Sequence, residues 1–116
     1  MLKIYGIKNC NSMKKAFNLL NELELAYEFH DYKKQGIDAD TVKTWLDALG
    51  QDLVLNKKGT TWRKLTAEEQ ENALASEDNL ITALTTHTSL IKRPVLQTAT
   101  GFIAGFDEAA YRELKD

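Results

Sequence analysis

The sequence predicts an α/β protein in which a mixed sheet of about four strands comes from an N-terminal βαβ unit and a C-terminal ββα unit. Three observations support this fold class. Residues 1–7 form a short apolar stretch typical of a strand, and an amphipathic helix pattern follows at once. The middle of the chain carries helix-capping signals. Strand-like residues return only near the C-terminus, over residues 89–104.

Two hydrophobic patterns indicate the N-terminal βαβ unit. The first strand, over residues 1–7, contains the apolar side chains Leu2, Ile4, Tyr5 and Ile7. The helix that follows has apolar residues at the i, i+3, i+4, i+7 spacing of one face, namely Met13, Ala16, Phe17 and Leu20. Residues 25–32 are rich in aromatic side chains and suit a second strand. A helical crossover of this length places the second strand parallel to the first.

The middle of the chain is predicted to contain three helices. Asp38 can cap a helix that ends at Gly50. Thr66 is followed three residues later by Glu69, which fits a capping box, and Ser76 can start a further helix. Between the first two of these helices, the segment around residues 59–65 is predicted to be a junction.

The C-terminal part predicts a hairpin and a last helix. Residues 89–97 are strand-like, residues 98–101 supply a turn, and residues 102–104 can pair back, after which Asp107 can cap a helix. Pro94 lies within the predicted strand, where proline offers no N–H to the ladder. A trans proline at a strand start and a strand entered through a cis-proline are both open, and trans is the commoner form.

Composition narrows the class of protein. A chain of 116 residues can bury the core of one domain. Its 15 basic and 17 acidic residues give a net charge of −2, which argues against the basic surface that direct nucleic-acid binding needs. One cysteine cannot form an internal disulfide, and neither a secretory signal nor a membrane-length apolar run is apparent. The expected location is therefore the cytoplasm.

Cys10 points most directly to chemistry, because it lies where the first strand gives way to the first helix. The free N–H groups and the dipole of a helix start can lower a thiol pKa from about 8.5 into the range of roughly 3.5 to 7.5. Lys8, Lys14 and Lys15 add positive charge nearby. Since the thiolate is the nucleophilic form, this position indicates covalent thiol chemistry. The alternative is that Cys10 is a small buried hydrophobic residue.

The remaining candidates fall into two groups. Arg63 and Arg93 are either surface charges or clamps for a carboxylate or oxyanion, for which a planar guanidinium is well suited. No clustering of metal ligands surrounds the histidines, and no basic–aromatic pattern surrounds the tryptophans, so metal binding and base stacking are not expected. Structural roles are predicted for His30, His87, Trp45 and Trp62.

Five motifs occur in order along the chain: Tyr5-Gly6-Ile7-Lys8-Asn9-Cys10, Lys14-Lys15-Ala16, Gly59 to Leu65, Ile91-Lys92-Arg93-Pro94 and Gly105-Phe106-Asp107. Together they resemble the arsenate reductase/Spx family, most closely its YffB-type branch. The resemblance implies one thioredoxin-like domain over residues 1–116, with residues 38–88 as a helical insertion. It also implies a cis-proline at Pro94 facing Cys10, with Arg93 beside it.

The resemblance assigns roles to the candidate residues. Cys10 matches the nucleophile, and Arg63 and Arg93 match the arginines that bind the oxyanion in glutaredoxin-linked arsenate reductases. In those enzymes the cysteine attacks arsenate, and glutathione then attacks the adduct. We predict that substrate or glutathione is bound by Asn9, Asn11, Lys14, Arg63, Arg93 and Pro94.

Three positions depart from the family pattern. Met13 occupies the place of the second cysteine of redox-regulated Spx proteins, so an intramolecular disulfide switch is impossible. Gly6 matches the histidine that assists the thiolate in arsenate reductases. Gly105 matches a third oxyanion-binding arginine. These departures argue against arsenate as the substrate.

The function predicted from the sequence is that of a glutathione-dependent thiol–disulfide reductase in which Cys10 forms a mixed disulfide. Glutathione is the expected co-substrate, with no tightly bound cofactor and no metal. A small-molecule or protein thiol or disulfide is the expected substrate, glutaredoxin is a further candidate partner, and the expected state is a monomer that binds neither nucleic acid nor membrane. The alternatives are an Spx-like regulator that binds RNA polymerase and a true arsenate reductase.

Overall fold

The computed structural model describes residues 2–114, so Met1, which the sequence placed in the first strand, lies outside the described residues. These residues divide into two compact units, one made of residues 2–35 with 93–114 and the other of Gly36–Lys92. In chain order the elements are β1 (Leu2–Gly6), α1 (Asn11–Glu22), β2 (Tyr27–Asp31), α2 (Tyr32–Gln35), α3 (Ala39–Leu49), α4 (Gln51–Val54), α5 (Thr60–Lys64), α6 (Ala67–Leu74), α7 (Glu77–Thr86), a 3₁₀ turn (Thr88–Leu90), β3 (Val95–Gln97), β4 (Phe102–Ala104) and α8 (Glu108–Arg112).

The first unit contains a four-stranded mixed sheet in the order β2-β1-β3-β4. β1 is parallel to β2, with Leu2 opposite Tyr27 and Gly6 opposite Asp31. β3 is antiparallel to β1 and also to β4, so that Leu96 lies between Ile4 and the last strand. The predicted fold class, a thioredoxin-like mixed sheet built from βαβ and ββα units, is confirmed.

Helix α1 packs its apolar face onto this sheet. One hydrophobic cluster of the unit is formed by the buried side chains Leu2, Ile4, Met13, Ala16, Leu19, Leu20, Leu96 and Tyr111. Phe17, which the periodicity also placed on the apolar face, is partly buried and stacks on Tyr27, with 5.6 Å between ring centroids. Burial of apolar surface contributes about 25 cal/mol per Å², so this face contributes much of the free energy that stabilises α1 against the sheet.

The second unit is helical, and its predicted helix ends are confirmed. Asp38 Oδ1 accepts the N–H of Thr41 at 2.7 Å at the start of α3, and Gly50 follows the last residue of that helix with φ 86°. Thr66 and Glu69 form the capping box of α6. Ser76 caps α7. The predicted core roles of the two tryptophans are also confirmed, since Trp45 is 0% and Trp62 7% exposed.

Several expectations about the elements were wrong. β1 ends at Gly6, before Ile7, and β2 begins at Tyr27, after residues 25–26. The middle of the chain contains the short helices α4 and α5 besides the three that were predicted. The segment treated as a junction contains helix α5, and Arg63 lies on it. Residues 89–97 form a strand only from Val95, because Pro94 has no N–H for the ladder and the chain before it pairs elsewhere: Lys92 donates its N–H to the carbonyl of Val54 at 2.8 Å. Tyr32, expected at the end of the second strand, is the first residue of α2.

Within residues 2–114, none of the helices has the length and apolar character that a membrane-spanning helix needs.

Candidate active site

Cys10 lies at the junction of β1 and α1, where it is the N-cap residue of the helix. Its backbone is extended, with φ −116° and ψ 136°, and its carbonyl accepts the N–H of Lys14 at 3.0 Å. The preceding residue, Asn9, has φ 62°, a left-handed conformation that asparagine tolerates better than most residues. The thiol is partly buried. This turn therefore presents the sulfur to the free N–H groups of the first helical turn.

The surroundings of Cys10 lower the pKa of its thiol. Burial alone raises the pKa, but the backbone N–H groups of Met13 and Ser12 and the guanidinium of Arg93 stabilise the anion and outweigh it. Arg93 acts both as a hydrogen-bond donor to the sulfur and through its charge. The thiol is thus shifted toward the nucleophilic thiolate form.

Arg93 reaches Cys10 from the chain just before β3. The peptide bond between Arg93 and Pro94 is cis, as the family resemblance implied and against the base rate that favoured trans. The carbonyl of Pro94 accepts the N–H of Gly105 at 2.7 Å, which ties this turn to the residue after β4. Since β3 pairs with β1 and runs antiparallel to it, the start of β3 and the end of β1 lie at the same edge of the sheet.

Tyr32 is a member of the site that the sequence did not single out. Burial raises the pKa of its hydroxyl, the Arg93 guanidinium opposes the rise, and the charges of Cys10 and Asp31 add to it. The signal available in the sequence was its position directly after the second strand. Two parallel strands end at one edge of a sheet, so a residue following β2 comes close to a residue following β1.

The side chain of Met13 fills the space next to Gly6. A Cβ atom added at Gly6 would collide with the thioether sulfur of Met13 and would lie 2.6 Å from its Cε. Met13 is 1% exposed. The space that a larger side chain at position 6 would occupy is therefore already filled by an apolar group.

The other predicted site residues are placed as follows. Asn9, Asn11 and Lys14 are exposed around the start of α1 in the first unit. Arg63 is exposed on α5 in the second unit, and its part in the site stays a prediction. Pro94 is buried. Among residues 2–114, no group of three or more His, Cys, Asp or Glu side chains could hold a metal ion.

We expect iodoacetamide to alkylate Cys10 with a half-maximal rate at a pH below about 8.5, the ordinary value for a thiol. Because Cys10 is the only cysteine, loss of free thiol reports this residue alone. Alkylation of the urea-unfolded protein is the control, and its midpoint should return to the ordinary value. A folded-state midpoint at or above about pH 8.5 would contradict the electrostatic account of the site.

Comparison with known proteins places the chain in a family. Residues 5–114 match the model of the ArsC family. An uncharacterised protein of Haemophilus influenzae is 34% identical over 112 residues, which cover 97% of this chain and 96% of that protein. The solved structure of the YFFB protein is similar with a TM-score of 0.90 and 40% identity, covering 97% of this chain and 96% of its own.

A second solved structure supports the same assignment. An arsenate reductase (ArsC) related protein from Brucella melitensis is 39% identical, with a TM-score of 0.74 and coverage of 97% of this chain and 95% of that one. Both the family match and these relatives span the strand–helix junction at Cys10 and the turn at Pro94. The chain therefore belongs to the ArsC family.

Proposed function

We propose that this protein is a glutathione-dependent thiol–disulfide reductase of the cytoplasm in which Cys10 is the nucleophile. The observation that carries the proposal is the position of Cys10 at a helix start beside Arg93, where the pKa of the thiol is lowered. Membership of the ArsC family, whose relatives include an arsenate reductase related protein, supports thiol-based reduction as the class of reaction. The identity of the co-substrate is the finer part of the proposal.

The presence of a single cysteine determines the type of cycle. The chain has no second thiol that could attack a disulfide formed on Cys10. An external thiol must therefore release the enzyme from its mixed disulfide. Glutathione meets this need, and it carries two carboxylates that positively charged side chains can hold.

The proposed reaction proceeds in two exchanges. The Cys10 thiolate attacks the glutathione sulfur of a mixed disulfide, forming a Cys10–glutathione bond and releasing the substrate thiolate, which takes up a proton. A second glutathione, as its thiolate, then attacks the glutathione sulfur on Cys10. This step yields oxidised glutathione and restores the Cys10 thiolate. In sum, one mixed disulfide and one glutathione give the substrate thiol and glutathione disulfide.

Binding of glutathione is proposed to use the exposed polar residues around the start of α1 and the nearby guanidinium. Arg93 is placed to interact with the sulfur itself, and Lys14 contributes positive charge on the first turn of α1. Asn9 and Asn11 flank the nucleophile and can donate side-chain N–H groups. Arg63 is proposed to bind a glutathione carboxylate, because its fork suits bidentate contact with a planar anion.

The proposal is tested by incubating the reduced protein with oxidised glutathione and measuring its intact mass. We expect one glutathionyl group per chain, bound to Cys10 and removed again by reduced glutathione. The Arg93→Lys variant should form this adduct more slowly, because lysine keeps the charge but loses the planar fork.

Methylation of the glutathione carboxylates gives a matched control on the ligand. If charged side chains hold those carboxylates, the ester should form the adduct more slowly with wild-type protein. An unmodified mass after incubation with excess oxidised glutathione would refute glutathione as the co-substrate. Equal rates for oxidised glutathione and its methyl ester would be compatible with thiol exchange. They would refute the binding of the glutathione carboxylates by charged side chains.

A further inference from the structure

Strand β2 forms an open edge of the sheet. Within the described part of the chain it pairs only with β1, and the N–H of Leu2 donates to the carbonyl of Ala26 at 3.4 Å. In a parallel pair of this register, the backbone N–H and C=O groups of Glu28 and His30 bond to β1, whereas those of Phe29 point away from β1. Phe29 therefore lies at the centre of an edge that has no neighbouring strand in the described part of the chain.

This edge lacks most of the features that protect exposed strands from pairing. β2 has five residues and contains no proline, lysine or bulge, whereas the opposite edge strand, β4, has only three residues. Partly buried aromatic rings lie beside the β2 edge: Phe17 stacks on Tyr27 at 5.6 Å and meets Phe29 edge-on at 5.1 Å between centroids. A strand added to β2 would therefore gain backbone hydrogen bonds and also cover apolar surface.

Charged side chains are distributed unevenly along the β2 edge. Glu24 and Glu28 lie toward the start of the strand, and His30, Lys33 and Lys34 lie toward its end or just beyond it. The two glutamates and the two lysines are exposed, and His30 is partly exposed. A second copy that runs antiparallel brings the acidic start of each strand beside the basic end of the other, whereas a parallel copy would bring like charges together. The edge is thus complementary to itself in the antiparallel direction.

We propose that two copies of this chain associate through β2, with the two strands pairing antiparallel about Phe29. The Phe29 residues of the two copies then face each other and exchange their backbone N–H···O=C bonds. In this register Glu28 of each copy lies directly opposite His30 of the other, and an imidazole N–H can donate to that carboxylate. The sheet of one copy continues into the sheet of the other. This dimer replaces the monomer expected from the sequence.

Such a dimer keeps the two active sites apart. Cys10 follows the end of β1, which runs parallel to β2. Since the two paired β2 strands run in opposite directions, the Cys10 ends of the two sheets lie at opposite ends of the dimer. Each site is then built from one copy, and association is expected to leave the pH midpoint of Cys10 alkylation unchanged. The dimer and the proposed glutathione chemistry are therefore tested independently.

Sedimentation velocity of the wild-type protein at increasing concentration tests the association. One pair of edge strands with its flanking side chains is a small interface, so we expect a weak dimer with a Kd on the order of 100 µM. The sedimentation coefficient should rise with protein concentration from the monomer value toward the dimer value. A coefficient that stays at the monomer value up to about 1 mM would overturn the proposal.

Amide hydrogen exchange of the wild type identifies the surface involved. The N–H of Phe29 gains an acceptor only in the dimer, so its exchange should be on the order of fourfold slower at about 1 mM than at about 10 µM, given that Kd. The N–H groups of Glu28 and His30 bond to β1 and should be protected equally at both concentrations. A dimer that leaves Phe29 unprotected and protects residues 102–104 of β4 instead would overturn the proposal.

Charge variants test the predicted register. Glu28→Lys places a lysine opposite His30 twice in the symmetric dimer, so it should weaken association on the order of tenfold. Its surface ion pair with Lys3, at 3.4 Å, is lost at little cost in stability. The matched control is Glu71→Lys, which makes the same charge change at an exposed position of α6 and should leave the Kd unchanged. Equal Kd values for the two variants would contradict the β2 interface.

A mixture of two variants gives the sharpest comparison. His30→Glu should also weaken self-association, because it places two glutamates opposite each other. Mixed with Glu28→Lys, it should recover association, since each new lysine then faces a new glutamate and each native Glu28 faces a native His30. A mixture of folded variants that associates no better than either alone would refute the register. Thermal unfolding verifies that each variant is folded, and the wild-type measurements decide the proposal if His30→Glu is not.

Discussion

Replacement of Cys10 by serine is expected to abolish reduction of a glutathione mixed disulfide. A serine hydroxyl cannot form the sulfur–sulfur bond on which the proposed cycle depends, and no second cysteine can replace it. The activity should fall to the rate of the glutathione and glutaredoxin mixture without the protein. The measurement is a coupled assay that follows formation of oxidised glutathione. Residual turnover above that background would show that Cys10 is not the nucleophile.

The same variant is expected to stay folded. Cys10 is the N-cap of α1, and serine is among the preferred N-cap residues, so its hydroxyl can accept the same N–H groups of the first helical turn. At low pH the variant should therefore be as stable as the wild type, or more stable by up to about 1 kcal/mol in free energy of unfolding.

The free energy of unfolding of the wild type, relative to that of Cys10→Ser, should increase as the pH rises. The pKa of Cys10 is lower in the folded than in the unfolded protein, so the thiolate contributes stability that is complete above the unfolded pKa. This contribution is lost as the pH falls through the folded pKa. The wild type should therefore gain stability relative to Cys10→Ser as the pH rises from the folded toward the unfolded pKa of Cys10, as measured by urea unfolding at each pH. A difference that does not vary with pH would contradict the lowered pKa.

The second large effect concerns the choice of substrate. We expect the protein, with glutathione and glutaredoxin supplied, to reduce a glutathione mixed disulfide at least about a hundredfold faster than arsenate. An arsenate adduct on Cys10 carries negative charge that preorganised donors must stabilise, and loss of one such donor costs on the order of a hundred- to a thousandfold in rate. A mixed disulfide places its charges on distant carboxylates and makes no comparable demand.

The structure supports this preference at both glycine positions. Gly6 offers no donor, and the Met13 thioether fills the space in which a larger side chain would lie. Gly105 has φ 73°, a conformation that favours glycine, and it uses its N–H to bind the carbonyl of Pro94. Cys10→Ser gives the background rate for both substrates. Arsenate reduction at a rate equal to that of the mixed disulfide would show that these two positions do not determine the substrate.

Much of the local structure could be predicted from the sequence, because each element end carries its own chemical signal. Asp38, Thr66 and Ser76 cap helices whose N–H groups need a nearby acceptor, and that need acts over three or four residues. The junction at Cys10 was predictable in the same way, since an apolar strand and an amphipathic helix meet there. The ordered motifs were specific enough to indicate the family, which the comparisons confirm.

The sequence by itself thus determined the helix caps, the mixed sheet and the placement of a lone thiol at a helix start. Only the tertiary structure brought Tyr32 to that thiol and filled the space at Gly6 with Met13, whereas Arg93 was expected there from the family resemblance. The physical reason is strand pairing: β1 lies between β2 and β3, so the residues that follow β2 and precede β3 meet the end of β1 at one edge. Pairing and register depend on contacts between distant parts of the chain, which local patterns of charge and hydrophobicity do not encode.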